Sequence, residues 1–167
     1  MVISQEELYK GNKGGRSSLP HEYFVPSSYV NELFSCLEQV KQSVRNNQSW
    51  DSAALGDCYM LALIGNTEDG SFILTPSGKR FLSNAIEAKE IMKDFLLSKP
   101  NVVNYLTKIG QNPTPHVTVL KETLSAMVTW ENTTWTWRSK VLVNWLTYTE
   151  LVRRRKGQVT SYPSRLL

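Results

Sequence analysis

The amino-acid sequence predicts a mainly α-helical protein with small β-hairpins, organised as two tandem helix-and-hairpin units joined by further helices. Three observations lead there. Apolar residues recur at helical spacing in segment after segment between Val30 and Tyr148. Two stretches, LALIGNTEDGSFILTPSGKRFL and LVRRRKGQVTSY, each run from an apolar helix end through a glycine turn flanked by strand-like residues. The composition, 41% hydrophobic and 20% charged over 167 residues, suits one substantial core or two small ones and describes an ordinary globular chain, not one disordered throughout.

The elements follow in order. Residues 1–28 read as a flexible N-terminal tail, because GNKGGRSS, Pro20 and Pro26 supply turns and no periodic apolar face. Ser27 and Ser28 are candidate caps for a helix with Val30, Leu33, Phe34, Leu37 and Val40 on its apolar side. NNQS breaks the chain before a second helix expected over Asp51–Ile64. A short strand or turn then carries Asn66–Glu68, Asp69-Gly70 is a hairpin signal, and SFILT returns as the second strand. Pro76 to Gly78 turn into another helix, completing the outline of a winged helix. Asn84 and Glu87 form a capping pair for the next helix, which is expected to bury Ile86, Ile91, Met92, Phe95 and Leu96 up to Ser98. Pro100 opens a helix with Val102, Val103, Leu106 and Ile109 in periodic positions and Gly110 as its cap. After the QNPTP loop, Val117, Leu120, Leu124 and Met127 share one face of a further helix.

The last helix begins near Thr133 or Thr134. At about 100° per residue, Trp135, Trp137, Val141, Leu142, Trp145, Leu146 and Tyr148 fill one half-circle. The three tryptophans read as core. The opposite half holds Thr136, Ser139, Lys140, Asn144 and Thr147, with Val143 as its apolar intruder. Arg138 falls in the apolar half and must snorkel or find an acid.

The two helix-to-hairpin stretches resemble one another. Sliding one along the other so that Gly70 falls on Gly157 also places Pro76 on Pro163, Ser77 on Ser164 and Ile64 on Leu151. The expected fold class is therefore mainly α with small β-hairpin wings: two tandem winged-helix units joined by helices. The expected division is residues 1–28 as tail, 29–84 as the first unit, and 85–167 as linking helices plus the second unit. LALIGNTEDGSFILTPSGKRFL, together with NTTWTWRSKVLVNWLTYTELV, resembles the winged helix-turn-helix modules of bacterial restriction and anti-phage defence proteins. The resemblance covers about residues 45–160. It implies DNA recognition alongside a separate nuclease or ATPase. The first unit departs from that pattern, since WDSAALGDCYMLALIG carries almost no basic or amide group for reading bases.

Charge distribution sharpens the expectation. The total is +4, yet from Thr133 onward Arg138, Lys140, Arg153, Arg154, Arg155, Lys156 and Arg165 face one acid, Glu150, leaving the rest of the chain slightly acidic. A basic end on an acidic body favours a polyanionic partner. Arg153, Arg154, Arg155, Lys156 and Gln158 sit where the second wing should be, suited to neutralise phosphates of duplex DNA. On the preceding helix, Asn144 can read adenine, Lys140 can reach guanine, and Thr136, Ser139 and Thr147 can meet phosphates or thymine methyls. A basic run after a helix also complements the C-terminal dipole. The rival expectation is a protein-interaction subunit whose wings dock a nuclease, ATPase or SMC-like partner.

Catalysis is not expected. GSFILTPSGK has the wrong glycine spacing for a phosphate loop, and Arg80 stands where the magnesium-binding hydroxyl would be needed. Glu87-Ala88-Lys89 with Asp69 imitates the acidic motif of restriction nucleases, but on a helix positions i and i+2 diverge by about 200°. His21 and His116 have no nearby nucleophile or orienting acid, and Cys36 and Cys58 lack metal-ligand spacing and read as reduced core residues. No metal, cofactor or membrane segment is expected, because no apolar run is longer than Cys58–Ile64. MVISQEEL lacks the layout of a secretory signal, so the expected location is the cytoplasm.

Overall fold

The computed structural model describes residues 23, 25–42, 52–111, 116–155 and 158–161. The chain is mainly helical and divides into two compact units, one built on Ser27–Ile91 and the other on Met92–Leu167 with Gly14–Pro26. The division falls inside a helix, Ala85–Leu97, a few residues beyond the boundary expected at residue 84.

In the first unit, α1 (Val30–Lys41) buries Leu33, Cys36, Leu37 and Val40, the stripe its periodicity demands. Its N-cap is Tyr29, whose N–H donates to Glu32 Oε2 at 3.1 Å. Ser27 and Ser28, expected to cap it, instead turn inward onto the buried Asp57 carboxylate of α2 (Ser52–Met60). Ser27 N–H donates to both carboxylate oxygens (3.1 and 2.9 Å), and Ser28 contributes its N–H (2.7 Å) and its hydroxyl (2.5 Å). A buried carboxylate is tolerated only with such donors.

Helix α2 stops at Met60, four residues short of the expected Ile64. Ala62 takes a left-handed conformation (φ 54°), its N–H donates to Tyr59 O, and Leu63 N–H reaches back to Cys58 O, both at 2.9 Å. This is a Schellman ending without its usual glycine. Ile64 is thus the first residue of strand β1 (Ile64–Asn66), antiparallel to β2 (Phe72–Leu74), with Ile64 opposite Leu74 and Asn66 opposite Phe72. Thr67–Ser71 makes the turn, with Gly70 at φ 83° as the Asp-Gly signal requires.

Helix α3 (Pro76–Ser83) follows at once, with Pro76 in its first turn. Thr75 caps it, accepting from Gly78 N–H (3.1 Å) while donating its hydroxyl to Ala62 O (2.6 Å). The helix start is pressed so close to the end of α2 that a Cβ on Gly78 would lie 2.0 Å from Leu63 O. Asn84 caps α4 (Ala85–Leu97), accepting from the N–H groups of Ile86 and Glu87 at 3.1 Å each. Ile86 itself is 77% exposed, against expectation, because it occupies the open first turn while Ala88, Met92 and Leu96 face inward.

The second unit holds α5 (Pro100–Gln111), α6 (His116–Leu124), α7 (Asn132–Tyr148) and the antiparallel pair β3 (Val152–Arg155) and β4 (Gln158–Ser161). Gly110 does not cap α5, which continues through it to Gln111. The start of α7 also differs from expectation: Glu131 is the N-cap, without a side-chain bond, and Asn132 is the first helical residue. Trp145, Tyr105, Leu106, Leu120 and Leu124 are among the largest fully buried side chains.

The end of α7 repeats the end of α2 bond for bond. Glu150 is left-handed (φ 59°), its N–H donates to Thr147 O, and Leu151 N–H reaches back to Leu146 O. Ala62 therefore corresponds to Glu150, buried Leu63 to buried Leu151, and Ile64 to Val152. The register is one residue away from the sequence alignment that puts Ile64 on Leu151. The cause is the hairpins' unequal turns: only Lys156 and Gly157 separate β3 from β4, whereas five residues separate β1 from β2, so matching the glycines misaligns the helix ends.

Candidate nucleic-acid interface

The polar side of α7 is narrower than a half-circle. Thr133, Thr136, Lys140, Asn144 and Thr147 are exposed, and their spacing of three or four residues puts them in one line along the helix. Val143 and Ser139, which the helical wheel assigned to the open half, are both buried. Ser139 is corrected from a candidate DNA contact to an internal residue: its hydroxyl lies 2.8 Å from Trp135 O and 2.9 Å from Thr136 O. Core packing extends around more of α7 than side-chain polarity suggests, since a small serine that bonds its own helix can be covered without cost in unpaired groups.

The remaining residues differ in what they can offer. Lys140 is exposed with no hydrogen bond or ion pair among the described residues. Asn144, one turn later, is exposed and carries both donor and acceptor groups. The hydroxyl protons of Thr136 and Thr147 are engaged with Asn132 O (3.0 Å) and Val143 O (2.7 Å). Those hydroxyls are left with lone pairs to accept from a base amino group, and methyls for apolar contact. At the base of the line, burial pushes the Tyr148 phenol above its usual range, so it stays a neutral hydroxyl.

What aims the helix is its interior. Trp145 is wholly buried and meets Tyr148 edge-on, with centroids 5.8 Å apart. Arg138, 6% exposed, is buried rather than snorkelling to the surface. Its guanidinium lies over two indoles, Trp130 at 4.9 Å and Trp137 at 5.1 Å, and donates through Nη1 to Val25 O at 3.3 Å. The tryptophans Trp130 and Trp135 pack at 4.7 Å. Trp135 and Trp145 are thus core, as expected, while Trp137 is half-buried and covers the arginine.

The junction into the hairpin is rigidly specified. Leu151 and Val152 are buried, and Arg153, the next residue, is exposed. The final carbonyls of α7 are already occupied: Trp145 O receives Thr149 N–H (3.0 Å) and its hydroxyl (2.9 Å), Leu146 O receives Leu151 N–H, and Thr147 O receives Glu150 N–H. Those three carbonyls therefore need no basic side chain as a hydrogen-bonding cap. In backbone register Arg153 pairs with Thr160, Arg154 with Val159 and Arg155 with Gln158. The side chains of Arg154, Arg155 and Gln158, and all of Lys156, lie outside the described residues.

Helix α2, which ends in the first unit as α7 does in the second, presents no comparable exposed line. In α2 every residue from Ala54 to Tyr59 is buried, and Asp57 is its only charged group. The near-miss nuclease triad does not assemble on one face: Glu87 and Lys89 lie two apart on helix α4, and Asp69 is bound into the hairpin turn by Thr67 Oγ1 and Ser71 N–H. GSFILTPSGK runs from β2 through the Thr75 cap into α3. Cys36 and Cys58 are buried and form no disulfide. Among the described residues no helix is long and apolar enough to cross a membrane, and no cluster of three or more His, Cys, Asp or Glu side chains could hold a metal ion. No family model, no curated protein and no solved structure matches this chain.

Proposed function

We propose that this chain is a non-catalytic double-stranded DNA-binding protein, a recognition or regulatory subunit of the restriction and defence type. In this reading both units are winged helices and the second one contacts DNA. The observation that carries it is the single exposed line of Thr136, Lys140, Asn144 and Thr147 on a helix that passes, through a two-residue buried anchor, straight into the basic hairpin. A helix of this kind enters the major groove, about 12 Å wide, while a basic hairpin beside it tracks the phosphates. Phosphate neutralisation by Arg153, Arg154, Arg155 and Lys156 supplies most of the affinity, and Lys140 and Asn144 supply preference between sequences. The buried α2 gives the first unit no equivalent reading surface, so any separate nuclease or ATPase subunit is assigned to that side.

The test is a salt titration of duplex binding, wild type against Arg153→Ser/Arg154→Ser/Arg155→Ser. Each phosphate that is no longer neutralised lowers the log–log slope by about 0.9, so a fall of about two to three units is expected. Wild-type binding no tighter than about 10⁻⁴ M at physiological salt would refute the reading.

A further inference from the structure

The first unit carries a groove that the DNA reading does not use. It lies between the C-terminal end of α1, strand β2 and α3, has a volume of about 550 Å³, and its described lining includes Val40, Lys41, Phe72, Ile73, Leu74 and Lys79. Its floor is aliphatic and aromatic. Ile73, one of its lining residues, is 46% exposed, one of two large apolar side chains so exposed among the described residues. The rim has one sign of charge. Lys41 and Lys79 are both exposed, no acid stands among the described lining residues, and neither ammonium has an ion pair or hydrogen bond among the described residues.

An apolar floor between two uncompensated cations selects an occupant that is apolar in the middle and acidic at its edges. Duplex DNA matches the lysines but leaves the exposed Ile73 and the apolar floor uncovered. A small neutral ligand would fill the floor and leave the lysines unanswered. We infer that this groove docks a short acidic, amphipathic peptide segment of a partner protein, its large apolar side chains entering beside Ile73 and its carboxylates meeting Lys41 and Lys79. The volume accommodates two or three such side chains, the size range of recognition pockets generally. Charge at the rim acts through association rate and choice of partner, and apolar burial through residence time. The inference stands independently of DNA binding, because every described lining residue belongs to the first unit.

The experiment is selection of a displayed random-peptide library on the intact protein, followed by fluorescence anisotropy of the selected consensus peptide. The expected consensus combines large apolar residues with Asp or Glu. Lys41→Glu/Lys79→Glu should weaken that peptide at least about tenfold, since two attractive rim pairs become repulsive. The same variant should bind a peptide with lysines in place of the acids, which shows that the fold survives and that charge sets the choice. Peptides without acidic preference, or binding indifferent to the charge reversal, would overturn the inference. Sedimentation that shows self-association abolished by Ile73→Glu would overturn it in favour of a second copy as occupant. Loss of duplex affinity in the double lysine variant, with peptide binding unaffected, would overturn it in favour of DNA at the rim.

Discussion

Gly78→Ala is the sharpest test of the first unit's construction. Helix propensity alone favours the change, because an alanine inside a helix is better than glycine by about 1 kcal/mol. The structure reverses the sign. The new Cβ would lie 2.0 Å from Leu63 O and 3.0 Å from Leu63 C, so the two backbones must part by at least about 1 Å. Leu63 cannot yield alone: its carbonyl accepts Thr75 N–H at 3.0 Å and its N–H is bound to Cys58 O in the ending of α2. The start of α3 must move instead, carrying with it the Thr75–Gly78 cap and the Thr75–Ala62 bond. Loss of a cap costs about 1 kcal/mol and backbone overpacking about 1–3 kcal/mol. Against the propensity gain of about 1 kcal/mol, the net is destabilisation by about 1–3 kcal/mol. Amide hydrogen exchange of Leu63 and Thr75 reads this locally, without requiring the two units to unfold together. A cost of about 2 kcal/mol accelerates their exchange about thirtyfold. Exchange unchanged or slower in the variant would refute the close approach.

Three further outcomes are expected. Arg138→Met keeps the stem between Trp130 and Trp137 but removes both cation–π contacts and the bond to Val25 O, so the second unit should lose about 1–3 kcal/mol by tryptophan-monitored urea unfolding; an unchanged midpoint would mean the guanidinium contributes nothing beyond its stem. Glu150→Gly relieves a left-handed side chain (φ 59°), and a net gain of about 0.5–1 kcal/mol should appear as a raised midpoint, the left-handed strain outweighing the added freedom of the unfolded chain; a lowered midpoint would show that strain to be absent. On duplex DNA, Lys140→Ala and Asn144→Ala should each change the preference between sequences by about 1–3 kcal/mol, whereas Ser139→Ala, an internal change, should leave both affinity and preference as they were; equal effects from all three would place Ser139 back on the surface.

Much of the architecture is legible in the sequence because it rests on local chemistry. The Asp69-Gly70 turn, the cap Asn84 and the apolar stripe of α1 each depend on residues within one or two turns of one another. The candidate site is legible in outline for the same reason: Lys140, Asn144 and Thr147 share a line on α7 by helical geometry, and the basic run follows it in the chain. The departures have a common origin. A half-circle rule places Ser139 and Val143 outward, but how far a helix sinks into its core is set by what packs on it. LALI reads as continuous helix to Ile64, and Ala62, unlike glycine, does not advertise the left-handed turn that ends α2.

By itself, then, the sequence determined that this chain is mainly helical, that two helix ends run into hairpins, and that positive charge gathers on the second. Those properties follow from periodicity, turn chemistry and charge order, which act over a few residues. Tertiary structure decided which part of α7 faces outward, that Arg138 lies over Trp130 and Trp137, that Gly78 must be glycine, and that Lys41 and Lys79 flank one groove. Each of these depends on residues far apart in the chain coming within a few ångströms, and such proximity leaves no local trace in the sequence.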